Sequence, residues 1–429
     1  MFILSANPAV KQEILHFRRT QGFREKCIAM KDSYGREIDY FRIAVTDKCN
    51  LRCIYCRPED GECPENKDIL GDDEIVMICR AAAGTGIRNI RITGGEPLMR
   101  AGIPQLIRRI ANIDGIQKVS MTTNGVLLKE HAEELAEAGL AGVNVSLDTL
   151  DAGKYAEIAG IRCLKDCDDL PGRILSGIDT ALAAGLLVKT NTVLTDINRD
   201  DWVELVRLAE NRKIFVRFIE LMPIGKGREL TGIPNTELIK RIEAKYGKMD
   251  KIRVRNTQNI QNQIPEKIQG HFVENEQTEI KGHFGESEQT EIKGYFVESE
   301  QTEIKGHFGE NEQTEIQDDL WEIPAENIGS GPAVYYHIPG FAGYIGFISA
   351  LHGKFCNSCN RIRLTSSGIL KPCLCYDSET DLHKMIMNNA SFDELENAIK
   401  CAISKKPQAH CFEDPDMITE KRNMVSIGG

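Results

Sequence analysis

Long apolar runs are missing from this sequence of 429 residues. No stretch approaches the roughly 20 apolar residues that a helix needs to cross a bilayer. The first residues, MFILSANPAVKQEILHFRRTQ, also lack the long apolar segment before a small-residue cleavage site that marks a secretory signal. We therefore expect a cytoplasmic protein. Its 41% hydrophobic content is enough for a substantial core, and its length suggests about two or three structural units.

A surplus of basic residues is absent as well. The net charge is −11, so no global positive field favours a nucleic-acid partner. Most of this charge lies in one segment, because residues 270–317 contain twelve Glu and three Lys. The rest of the chain is close to neutral.

That acidic segment is an internal tandem repeat. Residues 270–317 run through four copies of a 12-residue unit, which begin at His271, His283, Tyr295 and His307. Short, Glu-rich units with few apolar residues cannot bury much surface, so we expect a flexible insertion or a thin β-meander. The three histidines share one phase and could bind a metal. The alternative is a repeat expansion in a tolerant loop.

Residues 40 to about 247 predict an α/β fold. Short β-branched runs alternate there with amphipathic helical patterns, which is typical of βα units around a parallel sheet. Six strands are predicted, two fewer than a closed eight-stranded barrel has, so we expect a partial (β/α)6 TIM-type barrel with its chemistry at the strand carboxyl ends. The predicted strands are Phe41–Thr46, Asn89–Thr93, Val119–Thr123, Gly142–Leu147, Val188–Leu194 and Phe215–Leu221, and the predicted helices include Asp73–Ala83, Pro104–Asn112, Lys129–Ala138, Ile174–Ala184 and Asp201–Glu210.

Four segments are expected along the chain. Residues 1–39 form an N-terminal segment, and residues 40–257 form the partial barrel. The repeat insertion occupies residues 258–317, and a C-terminal domain with a second cysteine cluster occupies residues 318–429. The stretch Ala333–Ile348 has strand character and leads to that cluster.

The fourteen cysteines favour metal or cluster ligation, because a reducing compartment disfavours structural disulfides. Cys49, Cys53 and Cys56 form a C-x3-C-x2-C motif directly after the first predicted strand. Three thiolates can bind three irons of a cubane and leave the fourth iron open to a chelating cosubstrate. The alternatives are a zinc site or three reduced core cysteines. Only Cys63 could add a local fourth thiol to a zinc site.

A second motif, Gly94-Gly95-Glu96-Pro97, follows the second predicted strand. Paired glycines at a strand end let the backbone approach a ligand closely, and the glutamate can accept hydrogen bonds from an ammonium group. Alone, this motif would only indicate a turn. Together with the cysteine motif one strand earlier, it is typical of the radical S-adenosylmethionine superfamily.

Cys356, Cys359 and Cys373 form a second cluster motif, C-x2-C-x13-C. Again three ligands match a pattern, so again one iron could remain open. The alternative is a structural zinc or a closed cluster with Cys375 as the fourth ligand.

Arg361 and Arg363 follow this second motif at alternate positions, so on an extended chain they point the same way. Two guanidinium groups beside a cluster are costly to bury without anions, and their geometry suits phosphate. The alternative is that both are ordinary surface arginines.

With these residues in view, the chain resembles the GTP 3′,8-cyclase (MoaA) family over nearly its whole length, from about Ser33 to Gly429 apart from the repeats. The motifs that carry the resemblance are YFRIAVTDKCNLRCIYC, RNIRITGGEPLMR, TTNG, NVSLDTL, VRFIELMPIG, GYIGFISALHGKFCNSCNRIRL and the terminal Gly428-Gly429.

The resemblance implies two [4Fe-4S] clusters, S-adenosylmethionine as the radical source and GTP as the substrate of molybdenum-cofactor biosynthesis. It implies that a 5′-deoxyadenosyl radical abstracts hydrogen from ribose C3′, that the carbon radical attacks guanine C8, and that reduction completes 3′,8-cyclo-7,8-dihydro-GTP. The implied GTP contacts are Arg42, Arg91, Thr122, Lys189, Arg217, Arg361 and Arg363, and S-adenosylmethionine would meet Tyr55, Gly94, Gly95, Glu96, Pro97, Ser146 and Met222.

The same resemblance implies further partners and one more site element. An electron donor of the flavodoxin or ferredoxin type would reduce the clusters, a cyclic pyranopterin synthase would act downstream, and a homodimer is possible. Gly428-Gly429 would enter the active site, where side chains would clash. The alternative for this tail is a frayed terminus.

The sequence departs from the family at two places. The family often has a lysine two positions before Arg91, where this chain has Asn89, so one charge on the triphosphate is missing. The Cys163-x3-Cys167 pair has no family counterpart, and we interpret it as reduced surface thiols.

Two rival functions remain open at this point. A radical enzyme that modifies a peptide would also carry auxiliary clusters, although usually with more cysteines in wider arrays. A non-enzymatic cluster or zinc protein with a partner-binding repeat would not need the Gly-Gly-Glu-Pro motif.

Overall fold

The computed structural model of the protein describes residues 29–56, 69–161, 169–255, 322–324, 331–422 and 424–427. The predictions made for the 12-residue repeats, for Cys163 and Cys167, and for Gly428-Gly429 fall outside these residues.

A sheet of twelve strands forms the framework. Its strands are β3 Tyr40–Ala44, β4 Asn89–Thr93, β5 Lys118–Thr123, β6 Leu140–Ser146, β7 Leu187–Thr192, β8 Phe215–Ile219, β9 Asp250–Lys251, β12 Val334–His337, β13 Tyr344–Ile348, β14 Arg361–Leu364, β15 Ile369–Lys371 and β16 Thr380–Asp381. Their order across the sheet is β16-β15-β14-β3-β4-β5-β6-β7-β8-β13-β12-β9. Two small sheets accompany it, β1 (Met30–Lys31) with β2 (Glu37–Ile38), and β10 (Arg253–Arg255) with β11 (Glu322–Pro324).

The six predicted barrel strands are confirmed as β3 to β8, which pair in parallel and in sequence order. The structure adds one parallel strand at each edge of this set. The C-terminal strand β13 pairs with β8, and β14 pairs with β3. Eight contiguous parallel strands therefore line the barrel, and the two outer ones come from the C-terminal part of the chain rather than from further βα repeats.

Helices follow the barrel strands as the periodicity predicted. The helix predicted at Asp201–Glu210 is shorter than expected and spans Trp202–Arg207. The helix Ala152–Ile158 was not predicted. The helices of the described residues are α1 Asp72–Gly84, α2 Ile103–Ala111, α3 Leu128–Glu137, α4 Ala152–Ile158, α5 Leu170–Ala183, α6 Trp202–Arg207, α7 Asn235–Tyr246, α8 Leu382–Met387, α9 Phe392–Ser404 and α10 Met424–Ile427. None of these is both long and apolar enough to cross a membrane.

Local sequence explains where several helices begin. The Asp151 side chain accepts a hydrogen bond from Lys154 N at the start of α4. Ser391 and Glu394 form a reciprocal capping box at the start of α9. Each arrangement gives an otherwise unpaired backbone N–H a partner, which stabilises a helix end by about 1 kcal/mol.

The two sides of strands β3 to β8 differ in character. One side is apolar and packs against the helices, and burying each such side chain contributes about 1.5–3 kcal/mol. The other side is polar and faces the barrel interior. The apolar side chains in the main core include Phe41, Ile43, Ile90, Ile92, Val119, Met121, Val143, Val145, Val188, Val216 and Phe218.

A second, smaller core lies around the C-terminal cysteines. Its buried members are Ile224, Ala350, Leu374, Cys375, Phe412, Ile418 and Ile427. Because Ile427 is the last residue of α10, this core fixes the chain two residues before its end.

One buried ion pair connects this region to the sheet. Lys371 at the end of β15 contacts Glu420, and both side chains are almost fully buried. Lys371 Nζ also donates to the Tyr376 carbonyl at 2.6 Å, and Arg422 N donates to Glu420 Oε1 at 2.7 Å.

We predict that Glu420→Ala destabilises the protein by about 3–5 kcal/mol, because it leaves the Lys371 ammonium buried without its counter-charge. The double variant Lys371→Met/Glu420→Leu should recover part of the loss, since neither charge remains. Urea unfolding of the anaerobically reconstituted protein checks both. The matched control is Glu229→Ala, which breaks the exposed pair with Lys226. If Glu420→Ala and Glu229→Ala lowered the free energy of unfolding equally, the prediction would be contradicted.

Candidate active site

The first cysteine motif lies in the loop after β3, where the sequence placed it. The loop is anchored to the end of α4, because Arg52 N donates to Ala159 O and Ile54 N donates to Ile158 O, both at 2.9 Å. Gly160 follows α4 with a φ of 64°, and a side chain there would overlap the Arg52 carbonyl. The loop that carries Cys49, Cys53 and Cys56 is therefore held by backbone contacts.

The three thiols of this loop lie close enough to affect one another electrostatically. Burial raises the pKa of Cys53 well above its usual value, and the neighbouring Cys56 and Cys49 raise it further. Yet no three His, Cys, Asp or Glu side chains in the described part of the chain converge on a point that could hold a single metal ion. Three neighbouring thiols are a donor set that suits a [4Fe-4S] cluster, in which each of three irons takes one thiolate.

The Gly94-Gly95 pair packs directly against the residues that precede Cys49. Gly95 N donates to Thr46 O at 2.7 Å, and Glu96 N donates to Lys48 O at 2.8 Å. Gly94 has a φ of 146°, and a Cβ on either glycine would overlap the Thr46 or Lys48 carbonyl. The two glycines are thus required by the close approach of two loops, in addition to any contact with a ligand.

Glu96 is fully buried and joins this loop to the end of β5. Its carboxylate accepts hydrogen bonds from Thr123 Oγ1 at 2.7 Å, Asn124 N at 2.7 Å and Leu98 N at 3.1 Å. Burial raises its pKa to about 7, against the lowering effect of these donors. Asn124 Nδ2 in turn donates to Asn50 Oδ1 at 2.7 Å, so the carboxylate is connected to the cysteine loop.

Asp148 positions Tyr55, and no sequence motif had indicated this role. The Tyr55 hydroxyl, between two cysteines of the motif, donates to Asp148 Oδ2 at 2.5 Å, and Val193 N donates to Asp148 Oδ1 at 2.8 Å. Burial raises the pKa of Asp148 to about 6. The available signal in the sequence was an aspartate directly after a strand-like run, in NVSLDTL.

The second cysteine motif surrounds the start of β14. His410 N donates to Cys356 Sγ at 3.3 Å, and Arg36 Nη1 donates to the Cys356 carbonyl at 2.8 Å. Burial opposes ionisation of Cys359, but the charges of Arg361 and Lys406 outweigh it and lower its pKa to about 7. The surroundings therefore favour thiolate at this position.

Cys375 is buried beside Cys373, and the two thiols hydrogen-bond to each other. This contact lowers the pKa of Cys373 and, together with burial, raises that of Cys375. Cys375 therefore has the character of a neutral donor to a thiolate ligand.

Lys406 is a second site residue that no sequence motif had indicated. It is buried, and its Nζ donates to Arg361 O at 2.8 Å and to Pro372 O at 2.6 Å. These carbonyls belong to the two chain segments that carry Cys359 and Cys373. One ammonium group thus ties the two halves of the second motif together and places a positive charge beside their sulfur atoms.

The predicted substrate residues share the inner face of the barrel. Register pairs Arg363 with Arg42 and Arg42 with Arg91 across three neighbouring strands, β14, β3 and β4. Because register partners in a parallel sheet point to the same side, these guanidinium groups face one interior. Arg361, Thr122, Ser146, Lys189 and Arg217 occupy inner-face positions on β14, β5, β6, β7 and β8.

Burial and mutual repulsion act on these cations. Burial lowers the pKa of Arg42 well below its usual value, and the charges of Arg363 and Arg91 add to the effect. Burial likewise lowers the pKa of Lys189, with contributions from Arg217 and Arg91. Such shifts mean that the charged forms are stabilised less here than in water, so a polyanion would relieve them.

Several polar atoms on this face are buried without a hydrogen-bond partner: Arg91 Nη1, Arg217 Nε and Nη2, and Thr122 Oγ1. Buried donors of this kind cost free energy unless a ligand or water satisfies them. They are therefore suited to bind phosphate oxygens.

A cavity of about 30 Å³, partly open to solvent, lies beside these residues at the amino-terminal half of the strands. Its lining is Tyr40, Asn89, Arg91, Lys118, Ser120, Gly142, Asn144, Leu187 and Lys189. The Arg91 guanidinium donates to the Tyr40 hydroxyl and lies over its ring.

Met222 packs against the small second core, as Cys373 also does. Its assignment to S-adenosylmethionine stays a prediction.

Two family models match the chain. Residues 43–209 match the radical SAM superfamily, and residues 296–412 match the model described as Molybdenum Cofactor Synthesis C.

Similar proteins cover almost the whole chain. A Clostridium perfringens (strain SM101 / Type A) protein named GTP 3′,8-cyclase is 36% identical over 402 residues, which is 93% of this chain and 100% of that protein. A Pelotomaculum thermopropionicum protein of the same name is 37% identical over 407 residues, with the same coverage. Among solved structures, Streptococcus suis SuiB bound to S-adenosylmethionine is 15% identical, with a TM-score of 0.47 over 100% of this chain and 83% of that chain.

We predict that Gly95→Ala lowers cluster content, because its methyl group would push the Gly-Gly-Glu-Pro loop away from Lys48 and so from the first cysteine motif. If each cysteine motif binds one cluster, as the sequence resemblance implies, the reconstituted variant should retain about half of the wild-type iron, since the second motif is untouched. Iron and sulfide analysis measures this. Gly331→Ala is the control, because a Cβ there meets nothing within 4 Å. Full iron in Gly95→Ala would refute the proposed packing.

If the second cysteine motif binds an iron–sulfur cluster, Lys406→Met should alter that cluster selectively. Loss of a buried positive charge beside its thiolates should lower the reduction potential of that cluster, since the oxidised, less negative state is then relatively favoured. A redox titration followed by EPR measures it. Lys405→Met, at the exposed neighbouring position, is the matched control. Identical potentials in the two variants would count against a role for Lys406.

Proposed function

We propose that this chain, which belongs to the GTP 3′,8-cyclase family of radical S-adenosylmethionine enzymes, converts GTP to 3′,8-cyclo-7,8-dihydro-GTP in molybdenum-cofactor biosynthesis. The observation that carries the substrate assignment is the row of inner-face cations, in which Arg363, Arg42 and Arg91 stand on adjacent strands. A triphosphate supplies the several negative charges that such a row calls for.

We assign the first [4Fe-4S] cluster to Cys49, Cys53 and Cys56. When bound, this cluster and S-adenosylmethionine supply reductive cleavage of the sulfonium C–S bond. The contribution of the chain is positional. Glu96 and Asp148 hold the surrounding loops through buried hydrogen bonds, and the glycine pair allows the close packing of those loops. Our proposed S-adenosylmethionine residues are Tyr55, Gly94, Gly95, Glu96, Pro97, Ser146 and Met222.

We assign the second [4Fe-4S] cluster to Cys356, Cys359 and Cys373, with guanine as its ligand. Arg361 and Arg363 continue directly from Cys359 into β14, so they extend from this cluster along the barrel interior. The base would lie at the cluster, and the phosphates would lie among Arg42, Arg91, Thr122, Lys189, Arg217, Arg361 and Arg363. Lys189, Arg217 and Arg363 are buried, which excludes water around them and so strengthens their attraction for the substrate.

The tail and the partners complete the proposal. We assign Gly428-Gly429 to the active site, because Ile427 is buried in the small core that also contacts Cys373. We also propose a cytoplasmic enzyme, reduced by a flavodoxin or ferredoxin and followed by a cyclic pyranopterin synthase, and able to form a homodimer. Residues 40–257 and 318–429 are the first-cluster and second-cluster parts, even though their strands share one sheet.

The test is turnover under anaerobic conditions with dithionite, S-adenosylmethionine and GTP, followed by mass spectrometry of 5′-deoxyadenosine and the cyclised nucleotide. Both products should require GTP. Arg363→Met should lower kcat/KM for GTP by roughly 10²-fold, because a buried charge-assisted contact is lost. Arg108→Met, on the exposed side of α2, is the control.

Cleavage of S-adenosylmethionine without any change in GTP would contradict the substrate assignment. Equal activity of Arg363→Met and Arg108→Met would contradict the role of the inner-face cations.

A further inference from the structure

Asn89 and Lys118 are direct neighbours on the inner face of the barrel. They are register partners between β4 and β5, two residues before the pair formed by Arg91 and Ser120. Side chains of partners at this spacing stand on the same side of a parallel sheet. Lys118 therefore lies beside the position at which the family often has a lysine and this chain has Asn89.

Both residues line the same cavity as Arg91 and Lys189. Three of the side chains in that lining are cationic, and none is a carboxylate. Lys118 is also electrostatically close to Lys189, because its charge contributes to the lowered pKa of that residue. The Lys118 ammonium group thus belongs to the same positive cluster as the residues assigned to the phosphate chain.

Asn89 is engaged elsewhere. Its Nδ2 donates to Asp39 Oδ2 at 3.0 Å, while Asn360 Nδ2 donates to Asp39 Oδ1 at 2.7 Å. The amide therefore connects β4 to the segment before β14 and brings no charge into the cavity. A positive charge at this end of the cavity must therefore come from a neighbouring residue. Lys118, on the adjacent strand, has the position to supply it.

Lys118 also stands where the cavity meets the outside. It lines a second, open groove with Leu187 and Lys213, whereas Lys213 does not line the inner cavity. A flexible lysine at this place can reach the end of a bound phosphate chain from the amino-terminal side of the strands.

We propose that Lys118 binds the terminal phosphates of the nucleotide triphosphate and replaces the charge that Asn89 does not provide. This inference rests on the proposed function, because it assigns part of the same substrate. It makes Lys118 a determinant of triphosphate recognition, distinct from residues that recognise the base. The contact is with the phosphate chain, so its loss should depend on how many phosphates the ligand carries.

The experiment compares binding of GTP and GMP by calorimetry to the anaerobically reconstituted protein without S-adenosylmethionine. Lys118→Met should weaken GTP binding about tenfold and leave GMP binding within about twofold, because only the longer phosphate chain reaches position 118. Lys213→Met should leave both affinities unchanged. Asn89→Lys in the Lys118→Met background should restore most of the GTP affinity, since it places an ammonium group on the adjacent strand.

Each outcome is decisive for one of the two proposals. Unchanged GTP affinity in Lys118→Met would overturn the assignment of Lys118 while GTP binding by the wild type stands. Equal weakening of GTP and GMP would indicate an effect on the fold and would also overturn it. Failure of the wild-type protein to bind GTP would instead overturn the proposed function, and this inference with it.

Discussion

Positive charge buried on the inner face of a parallel sheet is the constraint on which the rest of this structure depends. Arg363, Arg42 and Arg91 stand on three adjacent strands, and Lys189 and Arg217 continue the group on β7 and β8. Like charges at this spacing repel, and burial increases the cost of each. The protein tolerates the arrangement because the opposite side of the same strands is apolar and packs against the helices, and because a bound polyanion would satisfy the cations.

The C-terminal part of the chain completes this interior. β14 carries Arg361 and Arg363 to one edge of the six-stranded set, and β13 covers the other edge beside β8. Lys406 then joins the segments of the second cysteine motif through two backbone carbonyls. The two cysteine motifs lie far apart in sequence. The parallel pairing of β14 with β3 nevertheless places the strand that follows Cys359 next to the strand that precedes Cys49.

Much of this could be read from the sequence, for physical reasons. Side chains alternate between the two faces of a strand, so Arg42 and Arg91 lie on the face opposite their apolar neighbours. Cysteines or glycines directly after a strand indicate loops that bind ligands. Two things were not predictable. The edge strands β13 and β14 pair over long sequence distances, which local patterns do not encode. Asp148, Lys118 and Lys406 act through tertiary contacts, and an isolated Asp or Lys carries no motif.

The central claim is that the inner-face cations form a polyanion site, and thermal unfolding tests it most directly. Tm of the anaerobically reconstituted protein would be measured against inorganic tripolyphosphate, with sulfate at matched ionic strength as the reference. Binding to the native state alone should raise Tm in a saturable way with tripolyphosphate and by less with sulfate. Superimposable curves for the two anions would mean that the cations respond only to ionic strength, and the account of the site would then be wrong.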